Sequence, residues 1–424
     1  MAFLISMLKR ISTQELTLGM FLHELCGSWM EHPFWRSQFL LKDANDLARI
    51  HKTSISEVWI DTSKGLDVAP HVQALTREAV DAAIETTFSQ LADLPDFEVP
   101  PESFKPPTVR RSPSTTSMDE EVARAAQICR ESKSAMVSMF NEARLGRALR
   151  VPNLQQLVED ISASIARNPD ALISLVRLKK ADDYTYMHSV AVCALMVALG
   201  RQIKLGHAQL RTAGMAGLLH DLGKARIPLS VLNKPGKLTD EEFTLVRQHP
   251  VEGHRMLVSG GMKDEAVLDA CLHHHEKING QGYPSRQEGN AISLVAKMAA
   301  ICDVYDAVTS DRAYKRGWDP SLALGRMAEW SDSHFDARLF HAFVKSLGVY
   351  PVGSMVRLRS HRIGVVVEQS PGSLLLPRVS TFFCTQRNQR IAPETVDLSR
   401  PGCMDKIVAR ESPAHWKLPG ARAQ

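Results

Sequence analysis

The chain of 424 residues carries 51 basic and 47 acidic side chains, so its formal net charge is only +4. Hydrophobic residues make up 44% and charged residues 23%, which excludes a wholly disordered, collagen-like or coiled-coil chain. This mild charge does not indicate a nucleic acid polymer as partner. No apolar stretch reaches the ~18 residues of a membrane span, and the seven scattered cysteines include no CxxC pair. We therefore expect a cytoplasmic protein with no membrane insertion.

Four segments follow one another along the chain. Residues 1–94 mix short β-like runs with helical ones and predict a small α+β domain. Residues 95–118 are rich in proline and predict an extended linker. Helical periodicity dominates residues 119–348, whereas residues 349–424 contain short β-like runs separated by turn residues. The expected fold class is mainly α, with an all-helical domain between a small α+β domain and a small β-rich C-terminal segment.

The periodicity also predicts individual elements. In the N-terminal domain these are a strand at 58–61 and a helix at 67–91. The helices predicted for the central segment include 120–149, 154–168, 170–180, 182–201, 208–220 and 239–258. The strands predicted for the C-terminal segment are 356–359, 363–367, 374–376 and 379–383.

Histidine is the clearest bias in composition, because eight of the 16 histidines lie between His188 and His275. Neutral imidazole is the commonest metal ligand among side chains. His188 lies in an otherwise apolar predicted helix, where a lone histidine more often has a role in the core. The adjacent pair His220 and Asp221 ends another apolar helix and supplies a nitrogen and a carboxylate at one point. Lys224 adds a cation beside them.

Further polar residues follow at three places. His249 follows the apolar residues around 243–246, and His274 and His275 belong to a run of three histidines. Successive helical residues point about 100° apart, so adjacent histidines can address two neighbouring metals. Asp303 and Asp306 lie three residues apart on one helix face. Apolar neighbours make Asp303 the better candidate ligand, while Asp306 is interpreted as a surface residue.

These nitrogen and oxygen ligands are sufficient for two octahedral metal ions bridged by Asp221. A set without thiolate suits iron, manganese, nickel or zinc and does not choose among them. Two metals a few ångströms apart activate water and stabilise both the attacking and the leaving oxygen of a phosphoryl displacement. The expected metal ligands are His188, His220, Asp221, His249, His274, His275 and Asp303.

The motifs, taken together and in order, resemble the HD-GYP domain. This domain is a subgroup of the HD metal-dependent phosphohydrolases that hydrolyses bacterial cyclic di-GMP. The resemblance covers roughly residues 150–348 and rests on YTYMHSV from 184, LHDLGK from 219, HPVEG from 249, HHE from 274 and GYP from 282. The N-terminal region also resembles a domain of unknown function that often precedes HD-GYP domains.

The resemblance implies a role for each of these residues. One metal would be bound by His188, His220, Asp221 and Asp303, and the other by Asp221, His249, His274 and His275. Asp221 and Lys224 would be the catalytic residues, with Lys224 near the scissile phosphate. The substrate would contact Lys224, Gly282, Tyr283, Pro284, Arg312 and Lys315. The implied reaction opens cyclic di-GMP to linear pGpG, with GMP as a further product, and iron or manganese are the first metals to expect, ahead of nickel or zinc.

Two positions depart from the family pattern. Asn279 replaces an aspartate before the Gly-Tyr-Pro loop, and it can still cap that loop by hydrogen bonds. Tyr184 replaces a glutamate that supports a third metal in some members, so we expect two metals. Asn279 also motivates an alternative, a receptor that binds cyclic di-GMP without hydrolysing it. An HD hydrolase with another nucleotide substrate is a third reading. The N- and C-terminal parts are candidates for contacts with protein partners, including a second copy of the chain.

Overall fold

The computed structural model describes residues 7–26, 38–53, 55–91, 94–99, 116–146, 151–177, 184–234, 238–311, 317–331, 333–370, 372–411 and 416. Most of the predicted proline-rich linker, the side chain of Tyr184, and Arg312 and Lys315 lie outside these residues. The chain forms two compact units. The first comprises residues 1–90 with the short segment 328–330, and the second comprises the rest.

The first unit contains a five-stranded antiparallel sheet with the strand order β3-β2-β4-β1-β5. Its strands are β1 (Leu8–Ser12), β2 (Phe21–Cys26), β3 (Phe39–Leu40), β4 (Glu57–Asp61) and β5 (Leu75–Thr76), and its helices are α1 (Ala44–His51) and α2 (Arg77–Gln90). Alternating residues of β4 and its neighbours fill the core, including Ile11, Leu22 and Val58. The helix predicted at 67–91 is shorter in the structure, because residues 75 and 76 pair with β1 as strand β5 and the helix begins only at Arg77.

The second unit is built from helices. They are α3 (Met118–Arg144), α4 (Val151–Arg167), α5 (Pro169–Arg177), α6 (Tyr184–Gln202), α7 (His207–Leu219), α8 (Leu229–Leu232), α9 (Asp240–Val246), α10 (His249–Ser259), α11 (Glu265–His273), α12 (Leu294–Thr309), α13 (Pro320–Ala328) and α14 (Ala337–Leu347). No helix in the described parts of the chain is long and apolar enough to cross a membrane. The mainly α fold class with sheets towards both ends is therefore confirmed.

Helix α6 is the centre of the helical core. Its residues from Val190 to Leu199 are all buried, as the apolar sequence predicts. Helix α7 packs closely against α6 because Gly217 has no side chain, and a Cβ at that position would lie 2.9 Å from the backbone of Cys193. This close approach brings the C-terminal end of α7 next to the first turns of α6. It therefore decides where His220 and His188 lie relative to each other.

The predicted continuous helix at 239–258 is wrong, because the structure divides it into α9 and α10. Pro250 cannot donate a backbone hydrogen bond and occupies the first turn of α10, where a helix tolerates proline. The carbonyl of Val246, near the end of α9, instead accepts a hydrogen bond from Nδ1 of His249 at 2.7 Å. The interruption therefore fixes the orientation of the His249 ring.

The C-terminal segment forms a second five-stranded antiparallel sheet with the order β10-β6-β7-β8-β9. Its strands are β6 (Met355–Leu358), β7 (Arg362–Ser370), β8 (Ser373–Cys384), β9 (Gln389–Asp397) and β10 (Ile407–Arg410). The two short strands predicted at 374–376 and 379–383 are one strand, β8. Pro377 lies inside it without an N–H to donate, and its carbonyl accepts a hydrogen bond from the backbone N–H of Leu398 at 3.3 Å. Strands β9 and β10 carry little apolar alternation and were not predicted.

Three polar contacts attach this sheet to the helices. The carboxylate of Asp170 on α5 accepts a hydrogen bond from the backbone N–H of Gln369 at 2.9 Å. Asp319, before α13, accepts one from the backbone N–H of Met355 at 2.8 Å. Arg177 donates to the carbonyl of Val352 at 2.6 Å. The β-rich segment is thus part of the same compact unit as the helices.

Candidate metal centre

The seven side chains expected as metal ligands lie together inside the second unit. Each comes from a helix or from the residue or two that follow a helix, so five separate stretches of chain meet there. His188 lies in α6 and Asp303 in α12, whereas His249 begins α10. The others, His220, Asp221, His274 and His275, directly follow α7 or α11.

The ligand atoms form compact groups. Within each of three groups of three residues, these atoms lie within 4.8 Å of one another. The groups are His188 with His220 and Asp303, His249 with His274 and His275, and His220 with Asp221 and His274. The first two groups correspond to the two ligand sets expected from the sequence, and the third contains the bridging residue.

Asp221 lies between the two sets of histidines and presents a different oxygen to each. Its Oδ2 is 3.4 Å from Nε2 of His188 and 3.3 Å from Nε2 of His220. Its Oδ1 is 3.2 Å from Nε2 of His249 and 3.9 Å from Nε2 of His274. A carboxylate whose two oxygens face different sets of histidines can bind one cation through each oxygen.

Asp303 contributes a second carboxylate, and its two oxygens also approach different histidines. Its Oδ1 lies 2.9 Å from Nε2 of His188 and 3.8 Å from Nε2 of His220. Its Oδ2 lies 3.9 Å from Nδ1 of His275. The carboxylate therefore reaches both sets of histidines from the side of α12, although its closest contacts are with the first set.

Three of the rings are oriented by the backbone. Nδ1 of His220, His249 and His274 each donates to the carbonyl three residues earlier in the chain, at 2.8, 2.7 and 3.0 Å. A neutral ring that donates through Nδ1 presents the lone pair of Nε2 to a cation, and Nε2 of His249 and Nε2 of His274 face each other at 3.2 Å. The local backbone thus fixes both the tautomer and the direction of these three imidazoles.

His188 is oriented by a side chain instead. Its Nδ1 lies 2.6 Å from Oδ2 of Asp306, which is only 1% exposed. The interpretation of Asp306 as a surface residue is therefore wrong, since α12 is buried on nearly all sides. Its spacing of three residues from Asp303, within an otherwise apolar helix, was the signal that could have identified it.

Two buried atoms at the centre of the cluster have no hydrogen-bond partner among the described residues. They are Nε2 of His220 and Oδ1 of Asp221. Leaving such groups unpaired in a protein interior costs about 1–3 kcal/mol each. Both are suitable donor atoms for a divalent cation, so the residues present fit a metal centre.

The electrostatics of the cluster agree with this donor set. Burial alone would raise the pKa of Asp221, but Lys224 and His220 outweigh it and hold that pKa well below its usual range. Burial alone would lower the pKa of His220, yet Asp221 and Asp303 raise it to about 10. Burial and the neighbouring rings lower the pKa of His274 to about 3. The two ionised carboxylates thus favour positive charge at this buried point, which either a proton on His220 or a divalent cation in its place can supply.

The Gly-Tyr-Pro loop lies over one side of the cluster. The ring of Tyr283 stacks on His275 with a centroid distance of 4.8 Å and an interplanar angle of 25°. Gly282 passes so close to the preceding chain that a Cβ there would lie 2.4 Å from Cα of Glu276. Asn279 caps the turn before the loop, because its Oδ1 accepts from the backbone N–H of Gln281 at 3.1 Å.

Glu276 holds this loop in place and was not selected from the sequence. Its side chain is 3% exposed and accepts backbone hydrogen bonds from Ser285 at 2.6 Å and from Gln287 at 3.1 Å. Its position directly after two candidate ligands was the available signal. The carboxylate thus links the residues after α11 to the far side of the Gly-Tyr-Pro loop.

Two cations lie at the edge of the cluster. The ammonium of Lys224 forms an ion pair with Oδ2 of Asp221. The guanidinium of Arg247 lies over the ring of Tyr283, at 4.4 Å from its centroid. Lys224 was expected here, but Arg247 was not, and nothing in its sequence context distinguishes it from a surface arginine.

Comparisons with known proteins agree with the site. Residues 8–153 match a domain of unknown function, DUF3391, and residues 159–339 match the HD domain. A cyclic di-GMP phosphodiesterase of Pseudomonas aeruginosa is 50% identical over 413 residues, which cover 97% of this chain and 94% of that protein. A cyclic di-GMP phosphodiesterase response regulator of Xanthomonas campestris is 37% identical over 180 residues, covering 41% of this chain and 47% of that protein.

A relative with a different substrate in its name also matches. It is a 3'3'-cGAMP-specific phosphodiesterase of Vibrio cholerae, 30% identical over 168 residues that cover 39% of each chain. The HD phosphohydrolase domain binds divalent metal, and the clusters of histidine and aspartate lie within the residues that match it. The chain therefore belongs to the HD-GYP family of phosphodiesterases and carries the DUF3391 domain ahead of its HD domain.

Proposed function

We propose that this protein is a metal-dependent phosphodiesterase that hydrolyses cyclic di-GMP to linear pGpG and onward to GMP in bacterial second-messenger signalling. The observation that carries the proposal is the position of Asp221, whose two oxygens face two separate sets of histidines. The 50% identity over nearly the whole chain to a cyclic di-GMP phosphodiesterase supports the choice of substrate.

The proposed centre holds two divalent ions, iron or manganese. One would be bound by His188, His220, Asp221 and Asp303, and the other by Asp221, His249, His274 and His275. Ions a few ångströms apart lower the pKa of bound water and stabilise the developing charge on a phosphoryl group. Tyr184 offers no carboxylate for a third ion.

The protein's own side chains position the substrate and balance its charge. Lys224 lies beside Asp221 at the edge of the cluster, and we assign it to an oxygen of the scissile phosphate. We assign the surface of the loop around Tyr283, whose ring is stacked on His275, to contact with the dinucleotide. Gly282 and Pro284 belong to the same surface. Arg312 and Lys315 complete the phosphate contacts in the proposal, from a segment outside the described residues.

Metal analysis and a cyclic di-GMP assay on the same anaerobically purified sample test the proposal. We expect close to two metal ions per chain. We also expect the sample to convert cyclic di-GMP to pGpG, with the product detected by chromatography. The matched control is Asp221→Ala, which removes the shared carboxylate and should abolish turnover while circular dichroism confirms that the helices remain. Protein loaded separately with iron, manganese and nickel that cleaves no cyclic di-GMP in any case would contradict the proposal.

A second candidate function is a receptor that binds cyclic di-GMP without hydrolysing it, which the replacement of an aspartate by Asn279 favours. The side chain caps its turn but lacks the negative charge of aspartate. Calorimetry that detects binding, with no product on chromatography, would support this reading. Recovery of turnover in Asn279→Asp would identify that position as the cause. A parallel assay with 3'3'-cGAMP tests the remaining reading, a different nucleotide substrate.

A further inference from the structure

An arginine with no assigned role lies next to the Gly-Tyr-Pro loop. Arg247 connects α9 to α10, two residues before His249. Its guanidinium lies 4.4 Å from the ring centroid of Tyr283 and 5.9 Å from that of Phe243. The Tyr283 ring in turn stacks on His275, which belongs to the metal cluster. The cation is therefore fixed one aromatic ring away from the centre of the site.

The charge of Arg247 has no opposite charge paired with it in the described parts of the chain. The residue is exposed, and it forms no ion pair with any carboxylate among the described residues. Other arginines nearby do have acidic partners, such as Arg255 with Glu252 on α10. A guanidinium that packs face-on against a ring keeps its N–H edge available for an acceptor. The side chain thus packs against Tyr283, while its hydrogen-bond donors have no acceptor among the residues that the structure describes.

The neighbouring backbone adds to the positive potential. Helix α10 begins at His249, which belongs to the cluster, so the positive end of its helix dipole lies next to the site. Gln248 gives this end no side-chain cap. Arginine is well suited to phosphate, because its planar fork can donate two parallel hydrogen bonds. An anion is therefore the ligand that this corner of the site attracts.

The proposed substrate carries two phosphates in one ring, and only one of them can be at the metal centre during a given cleavage. We propose that Arg247 forms an anion subsite for the other phosphate, the one that is not being cleaved. This inference rests on the proposed function, since it names a further contact of the same substrate. Arg247 is then a substrate-binding residue that holds the dinucleotide beside the Gly-Tyr-Pro loop.

The test compares two substrates that differ in the second phosphate. Bis(p-nitrophenyl) phosphate contains one phosphodiester and no second phosphate, whereas cyclic di-GMP contains two. For Arg247→Gln we expect KM for cyclic di-GMP to rise roughly tenfold to a hundredfold, as for the loss of a charge-assisted hydrogen bond, with kcat nearly unchanged. We expect kcat/KM for bis(p-nitrophenyl) phosphate to stay within twofold of the wild type. Arg247→Lys keeps the charge but loses the planar fork of the guanidinium. Its KM for cyclic di-GMP should lie between those of the wild type and Arg247→Gln.

The matched control is Arg255→Gln, because Arg255 is an exposed arginine on α10 whose charge is paired with Glu252. It should leave KM for both substrates unchanged. If Arg247→Gln lowered kcat/KM equally for both substrates, the subsite would be overturned. Such a result would mean that the substitution disturbs the metal centre or Tyr283. A loss on cyclic di-GMP but not on 3'3'-cGAMP would also overturn it, because it would indicate contact with a guanine base.

Binding provides an independent readout. Calorimetry with cyclic di-GMP should show weaker binding to Arg247→Gln than to the wild type, even in metal-free protein that turns nothing over. If the wild type hydrolyses cyclic di-GMP and the variant matches it in both KM and binding, the subsite is wrong and the proposed function stands. If the wild type neither binds nor hydrolyses cyclic di-GMP, both proposals fail.

Discussion

Nδ1 of His188 donates a 2.6 Å hydrogen bond to Oδ2 of Asp306, and both side chains are at most 2% exposed. The contact joins the first turns of α6 to α12 and leaves Nε2 of the same ring 2.9 Å from Asp303. A carboxylate behind a histidine fixes its ring and raises the basicity of its free nitrogen. Asp306 is therefore a positioning residue for the metal centre.

Replacement of Asp306 should weaken metal binding without removing a metal ligand. We expect Asp306→Ala to lower metal affinity by about 10- to 100-fold, the usual loss when such a partner is removed. Asp306→Asn keeps an acceptor oxygen but no charge, so its loss should be smaller. Competition with a graded series of chelators measures the affinity. Affinity in Asp306→Ala equal to that of the wild type would show that the hydrogen bond does not position His188.

The two sets of histidines should be separable by metal content. His188→Ala and His275→Ala each remove a ligand from a different set. We expect each variant to retain about one metal ion per chain in place of two, and to lose most of its turnover. Asp221→Ala, which affects both sets, should retain less than either. Elemental analysis after dialysis gives the counts, and a variant of His275 that keeps two ions would contradict the assignment of the second set.

Gly282→Ala tests the close approach of the Gly-Tyr-Pro loop to Glu276. The added methyl group would overlap backbone atoms, which cannot move as a flexible side chain can. Overpacking of this kind costs about 1–3 kcal/mol, and displacement of Tyr283 from His275 should lower turnover more than tenfold. Thermal unfolding and the cyclic di-GMP assay measure the two effects.

Gly261→Ala provides the control for this experiment. Gly261 has φ of +82° but nothing within 4 Å of an added Cβ, so an alanine there meets only backbone strain. We expect Gly261→Ala to lower the free energy of unfolding by about 1–2 kcal/mol and to leave turnover unchanged. If Gly282→Ala were as active as Gly261→Ala, the position of the loop would not matter for the reaction.

Asp170 should make the attachment of the C-terminal sheet dependent on pH. Burial raises the pKa of this carboxyl to about 6, and Glu368 adds to the shift, although the N–H of Gln369 opposes it. The pKa in the folded protein thus lies above the ordinary value of 3.8. The favourable contribution of Asp170 to the free energy of unfolding is therefore complete below about pH 4 and is lost as the pH rises through about 6.

Asp170→Asn mimics the neutral carboxyl and keeps an oxygen for the N–H of Gln369. We therefore expect its melting temperature to exceed that of the wild type at pH 8 and the difference to vanish by pH 4. Melting curves of both proteins across this range measure it. A constant difference between the two at every pH would show that Asp170 does not titrate in the folded protein.

Much of the site was predictable because its chemistry depends on residue type and order. Histidines and aspartates inside apolar helices stand out, and the resemblance to a known family connected motifs as far apart as His188 and Asp303. Asp306 was misjudged because a single sequence does not show on which side of α12 the neighbouring helices pack. Arg247 was missed because its role depends on contact with a ring 36 positions later, which no local pattern encodes.

The fold was predictable where the hydrophobic periodicity is strong. It was less predictable where polar contacts determine where a helix or strand begins and ends. The apolar run in α6 predicts a buried helix, and the structure has one. The interruption between α9 and α10 depends on the His249 side chain replacing a backbone donor, which periodicity does not show. Strand β9 was missed because its residues are mostly exposed, so alternation of polar and apolar residues is absent.

The ligands come from helices that are far apart in sequence, and this has a consequence for folding energetics. An ion bound by His188 and Asp303 would close a loop that contains α7 to α11, in the way that a covalent cross-link does. Binding to the folded chain alone stabilises it by RT ln(1 + [L]/Kd), so resistance to unfolding would depend on the free metal concentration in the cell. Metal supply would then influence how much of this protein survives, as well as how fast it works.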